Sequence, residues 1–139
     1  MITTSTIVRG LRSGLSITWE LSKVIIPVYF IITFLKYTPV LNWIADLMVP
    51  IMTIVGLPGE TSLPLVIGYT LNLYAAIGAL LPLGLDTREL TILSAMLLMS
   101  HALPMETAIA KKTGIRTFSL VISRIGMSFL IGILFNFLL

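Results

Sequence analysis

Two ionisable side chains, His101 and Glu106, flank Pro104 in the run SHALPMET. Five residues apart with a proline between them, they need not share a helix face. They do share a place where a helix breaks or starts, because proline lacks a backbone donor and clashes with the preceding turn. Carbonyls freed before such a break and amides freed after it add main-chain polar groups to the two side chains. Discontinuous membrane helices hold solutes and ions in this way. A plainer reading stays open: Glu106 as an acid in a first helical turn, favoured by the dipole, and His101 as an interfacial residue. Asn72 carries an amide suited to a base or a carboxamide, or equally to a bond between helices. Tyr69 and Tyr74 offer rings for stacking on a planar solute, or for packing. Glu20 and Lys23 lie three apart and can pair on one helix face. Glu20 is then either half of an interfacial ion pair or a site carboxylate turned inward.

Other chemistries are missing their residues. Cysteine is absent and His101 is the single histidine, so neither thiolate chemistry nor the spacing of a zinc site is available. No Ser–His–Asp arrangement, paired carboxylates on one helix face, or phosphate loop appears. Met96, Met99 and Met105 read as packing residues rather than soft-metal ligands. The expectation is a non-enzyme with no catalytic residue, no metal and no cofactor.

The elements that position these groups are membrane elements. Of 139 residues, 57% are hydrophobic and 11% charged, with mean hydropathy +1.05; soluble domains are nearer one quarter charged. Several apolar runs approach the roughly 20 residues that cross a bilayer. The net charge of +3 flanks those runs, so it reads as a topology signal and not as a nucleic-acid surface. No secretory leader is visible, and the first hydrophobic segment is expected to remain in the mature chain.

In chain order, 1–16 with Arg9 and Arg12 predicts a juxtamembrane helix at the interface. Residues 19–37 form a first span, with Trp19 and Tyr37 at the headgroup levels and Pro27 inside. Thr38-Pro39 predicts a helix start with a hydroxyl cap. The apolar segment 40–55 contains Pro50, which argues against an unbroken span. GLPGETS, 56–62, is a turn-rich connector. Residues 63–85 carry no charge and predict a full span, with Gly68, Asn72, Ala75, Ala76 and Ala79 as a small-residue face. Asp86 and Glu89 have the spacing of a capping box. The helix 89–103 is short and predicts a re-entrant element, followed by a helix over 105–113 that Gly114 ends. Residues 116–139 are the clearest span. There Arg124, Ser128, Gly132 and Asn136 make a polar and small ridge that should face protein, although Arg124 can instead snorkel to the interface. The N-terminal arginines and Lys111, Lys112 and Arg116 fall on one, cytoplasmic, side.

The runs LPLVIGYTLNLYAAIGAL and RELTILSAMLLMSHALPMETAI resemble the Gate, or nucleoside-recognition, domain family of small bacterial membrane proteins, related to the spore maturation proteins and to the Gate domains of the ferrous-iron transporter FeoB. Leu63-Pro64-Leu65, Gly68-Tyr69-Thr70, Leu90-Thr91-Ile92 and Met99-Ser100-His101 hold comparable places. Trp19-Glu20-Leu21 and Lys23 through Pro27 look like the start of these proteins. Thr70 and His101 stand where the iron transporter has cysteines, and no GTPase motif is present, so iron transport is not implied.

The resemblance implies a transport-type scaffold with broken helices at mid-membrane depth. The expected fold is all-α: a polytopic integral membrane protein with broken or re-entrant helices and an N-terminal interfacial helix. Residues 1–139 form one Gate-type domain with a broken-helix core over 63–114. The expected location is a bacterial or archaeal cytoplasmic membrane. The expected function is binding or moving a small polar solute, nucleoside-like or an ion, through Asn72, His101, Glu106, Glu20, Tyr69 and Thr70. The alternative is a structural or accessory membrane protein, as in spore maturation or complex assembly. The expected partner is a second copy in a homodimer, with an antiparallel arrangement among the options, or a related Gate protein. The ridge on 124–136 and the face around Asn72 are the interface candidates.

Overall fold

The computed structural model describes residues 4–114 and 116–139. Among these residues the chain is built from seven α-helices joined by short turns, with no strand. The all-α, polytopic architecture expected from composition is what the chain adopts.

Helix α1 (Thr4–Lys36) runs 33 residues, about 50 Å at 1.5 Å per residue. The described part of the juxtamembrane stretch is helical and continues into the span without interruption. Its hydroxyls turn back onto the helix, Thr18 to the Gly14 carbonyl at 2.9 Å and Ser22 to the Thr18 carbonyl at 2.8 Å, so they leave no reason to break it. Pro27 lies inside α1 and does not end it. Helix α2 (Pro39–Met52) opens with proline as expected. The Thr38 hydroxyl, however, donates back to the Leu35 carbonyl at 2.8 Å and provides no cap. A tight turn at Thr53–Val55 and Gly56 in the left-handed region (φ 70°) then redirects the chain. The segments Pro39–Val55 and Gly59–Thr70 meet at 92°. Gly59 makes that bend possible, because its Cα rests on the Ala45 carbonyl where a side chain would overlap.

The stretch 63–85 is not one span. It divides into α3 (Ser62–Thr70) and α4 (Leu73–Leu80), which ends in a 3-10 turn at Leu81–Leu83. Asn72 causes the break: it is extended (φ −167°, ψ 168°), and its Oδ1 accepts the Ala75 N–H at 2.9 Å. Asparagine is among the best residues for capping a helix this way. The two halves then pack on each other. A Cβ on Gly68 would lie 3.1 Å from that of Ala76, while Leu63 and Ile67 pack with Ala79 and Leu83. The result is an antiparallel hairpin with its tip at 71–72. Lys36 ties the open end to α1 by donating to the Pro82 carbonyl at 2.8 Å.

Helix α5 (Thr87–Met99) begins with the capping box read from the sequence. The Asp86 carboxylate accepts the Glu89 N–H at 2.7 Å, and the Glu89 carboxylate accepts the Asp86 N–H at 2.9 Å. Ile92, Leu93, Met96 and Leu97 are buried, which makes α5 the centre of the main core with Met52, Val55, Leu57, Leu65, Tyr69, Ala76 and Leu103. After a break at 100–102, α6 (Leu103–Lys112) follows and ends at Gly114 with φ 79°. Helix α7 (Thr117–Leu138) packs along α5 and α6, and α1 packs on α4 and α2. Thr4–Lys36, Thr87–Lys112 and Thr117–Leu138 are long and apolar enough to cross a membrane, and the bent pair has the geometry of either a broken span or a re-entrant loop. The helix 89–103, expected to be re-entrant, therefore belongs to a stretch of spanning length.

Candidate functional site

Two chain breaks meet inside the molecule. At the first, α3 gives way to α4 at Leu71 and Asn72. At the second, Ser100 is extended and Ala102 is left-handed (φ 47°) between α5 and α6. The Ala102 N–H donates to the Gly68 carbonyl at 2.9 Å, so the second break is fastened to the end of α3 next to the first. Pro104 stands in the first turn of α6, where its missing donor does no harm. Gly68 allows this contact, because a Cβ there would overlap the Leu97 side chain.

Around the second break the structure gathers His101, Glu106 and Arg124. The Arg124 guanidinium forms an ion pair with Glu106. It also donates to the Met99 carbonyl, from Nε at 3.3 Å and Nη2 at 3.1 Å. His101 Nδ1 lies 3.1 Å from the Leu97 carbonyl, and since a carbonyl only accepts, that nitrogen carries the proton. Nε2 then lies 4.0 Å from the Glu106 carboxylate. The side chains of His101, Glu106 and Arg124 are each between 23% and 34% exposed. They are neither sealed in the core nor free on the surface.

The remaining expected residues take other positions. Tyr69 is buried, with its hydroxyl 2.5 Å from Ser128 Oγ, and Ser128 donates onward to the Met96 carbonyl at 2.8 Å. Ser128 has one proton, so Tyr69 is the donor in the first bond. This relay joins α3, α7 and α5. The Thr70 hydroxyl donates to the Val66 carbonyl of its own helix at 2.7 Å. The Asn72 oxygen serves the cap described above. Glu20 pairs with Lys23 at 2.7 Å on an exposed face of α1, the ion pair that their spacing allows. Of the six expected site residues, only His101 and Glu106 come together.

Arg124 completes the cluster, and its place on the ridge of α7 was the signal. All four ridge residues face protein. Besides Arg124 and Ser128, a Cβ on Gly132 would lie 2.8 Å from Met96 Sδ and 2.9 Å from Val55 Cγ1. The Asn136 amide donates to the Ile54 carbonyl at 3.4 Å, and Asn136 accepts from Arg88, which also reaches the Gly56 carbonyl at 3.2 Å. The ridge is spent within the chain, as is the small face of Gly68, Ala76 and Ala79. Thr91 and Ser94 sit elsewhere, in an open groove of about 440 Å³ with Leu90, Ala95, Leu98 and Phe135. Among the described residues no group of three or more His, Asp or Glu could hold a metal ion.

Against known proteins, the profile of the Gate family, described as nucleoside recognition, matches residues 18–116. The chain is 43% identical over 127 residues to YvoD of Bacillus subtilis strain 168, an uncharacterized membrane protein; the match covers 91% of this chain and 41% of that one. The chain thus spans about two-fifths of this relative's length. No solved structure matches it.

Proposed function

The chain belongs to the Gate (nucleoside recognition) family of membrane proteins, and from that premise we propose that it binds or passes a small polar solute, nucleoside-like or ionic, where its two helix breaks cross. The observation that carries this reading is the Ala102–Gly68 bond with His101, Glu106 and Arg124 beside it. Irregular backbone at membrane depth is tolerated where it is buried in protein or lines a polar cavity, and ionisable groups there mark solute pathways. If α7 spans, Arg124 lies about 10 Å from its start and about 20 Å from its end, well inside the hydrocarbon. The hairpin α3–α4 acts as a re-entrant element whose tip supports the break. The cluster is partly exposed at that depth, which favours a second unit covering it. We assign that role to a second copy in the cytoplasmic membrane of the cell, or to a related Gate protein. The role is binding and passage rather than catalysis.

The test is flux into proteoliposomes of known orientation, with nucleosides, cations and small zwitterions as solutes. Wild type is expected to pass one of these classes, and Glu106→Gln to pass it at least tenfold more slowly. Absence of flux for every class would overturn transport.

One observation favours an accessory role instead: the hydroxyls of Tyr69 and Thr70 and the side-chain oxygen of Asn72 are engaged within the chain. On that reading His101→Ala and Glu106→Ala leave function intact, and a partner is captured from native membranes whether or not they are present.

A further inference from the structure

We infer that the α5–α6 break is a cation site whose resident occupant is Arg124, and that the solute it admits carries a guanidinium or ammonium group. This rests on the reading of the break as a solute site and narrows it to one chemical class.

The groups that face the guanidinium are acceptors. They are the Met99 carbonyl, which takes two of its N–H groups, and the Glu106 carboxylate. The lone pair of His101 Nε2, at 4.0 Å from Glu106, borders the same place. Two of the amides at the break are engaged, the Ser100 N–H with the Met96 carbonyl at 3.1 Å and the Ala102 N–H with the Gly68 carbonyl at 2.9 Å, and Pro104 has no N–H to offer. The last carbonyls of α5 lie at the negative end of its dipole, which favours a cation.

A second observation comes from Ser100. Its hydroxyl is fully buried at this break and has no hydrogen-bond partner, although buried polar groups are almost always satisfied. It is an unsatisfied oxygen in the chain segment between Met99 and His101.

Arg124 reaches the break from a different helix, α7, so the occupant and the site can separate without unfolding either. Its side chain is 23% exposed, which leaves the place reachable by a competing cation. Two acceptors, the Met99 carbonyl and the Glu106 carboxylate, meet different nitrogens of one guanidinium, a pattern that suits its fixed fork of N–H groups better than a point charge.

The experiment is chemical rescue of Arg124→Ala in the full chain, purified in detergent. Unfolding is followed by the fluorescence of Trp19 and Trp43. The probe is ethylguanidinium chloride at low millimolar concentration against sodium chloride at equal ionic strength. Arg124→Ala should lower the unfolding midpoint by about 5 °C; ethylguanidinium should restore at least half of that loss and sodium chloride none. The double variant Arg124→Ala/Glu106→Gln should not be rescued. Equal rescue by both salts, rescue of the double variant, or rescue by sodium acetate in place of ethylguanidinium would overturn the cation site, the last by making the break an anion site. If Arg124→Ala does not accumulate folded, it is produced and extracted with ethylguanidinium chloride or with sodium chloride throughout. Folded protein with the first alone supports the site, and no difference between them sinks it. Rescue in a protein that shows no flux would reject transport and keep the site; flux without rescue would reject the cation site alone.

Discussion

Glu106 and Arg124 form a partly buried ion pair. If α7 spans the membrane, either charge alone would sit in a medium that solvates it poorly. Removing one partner should therefore hurt more than removing both. Glu106→Gln and Arg124→Gln are each expected to destabilise the protein, and the double variant to lose less than their sum. A double-mutant cycle in detergent unfolding should give a coupling of about 2 kcal/mol, and additive losses would show that the pair does not act as a unit. Tyr69 is the second test at this scale. Tyr69→Phe removes the donor that feeds Ser128 and should cost about 1 kcal/mol, with Ser128 still bonded to Met96. The sequence made part of this legible. Pro104 marked the break, and the two ionisable groups beside it were visible for that reason. Arg124 as a partner was not, because the Met99 carbonyl it binds is freed only once the chain breaks. The capping role of Asn72 was not legible for a similar reason: an amide in an apolar run looks the same whether it bonds a neighbouring helix, a solute or its own backbone.

At the scale of elements, the informative departure is the hairpin α3–α4. Residues 63–85 carry no charge and are long enough to span, with no proline or glycine at the turn itself. Composition gives no reason to divide them. The division follows from a local cap at Asn72 and from Gly68, which lets the second half return along the first. By contrast the capping box at Asp86, the glycine end of α6 and the ridge of α7 rest on short-range rules, and each was readable. The second break is held by Ala102 in a left-handed conformation, which is costly for any residue with a Cβ. Ala102→Gly should relieve that strain and raise stability by about 0.5–1 kcal/mol, measured by denaturant unfolding; a loss would show that packing of the methyl group matters more. Gly132→Val should do the reverse. Its side chain would press on Met96 and Val55, and a loss of about 2 kcal/mol is expected from overpacking.

For the whole molecule, the contacts fix relative directions. Helix α7 runs antiparallel to α5, since Arg124 meets Met99 while Asn136 meets Arg88. Helix α1 and the open end of the hairpin finish together at Lys36 and Pro82. If α1 and Thr87–Lys112 both cross the membrane, in opposite senses, the N-terminal arginines and Lys111/Lys112 fall on one side, as the positive-inside rule favours. The chain has no cysteine, so single replacements report cleanly. Ser5→Cys and Lys111→Cys should label from the same side of sealed vesicles, and labelling from opposite sides would sink this orientation. The central claim is that the break at 100–102 borders a polar path at membrane depth, and its most direct test is water access to that point. His101→Cys should react with a small, charged, membrane-impermeant thiol reagent in sealed vesicles, while Leu130→Cys, on the exposed apolar side of α7, should not. An unreactive His101→Cys in protein shown to be folded would mean that the break only turns the chain, and would contradict the account.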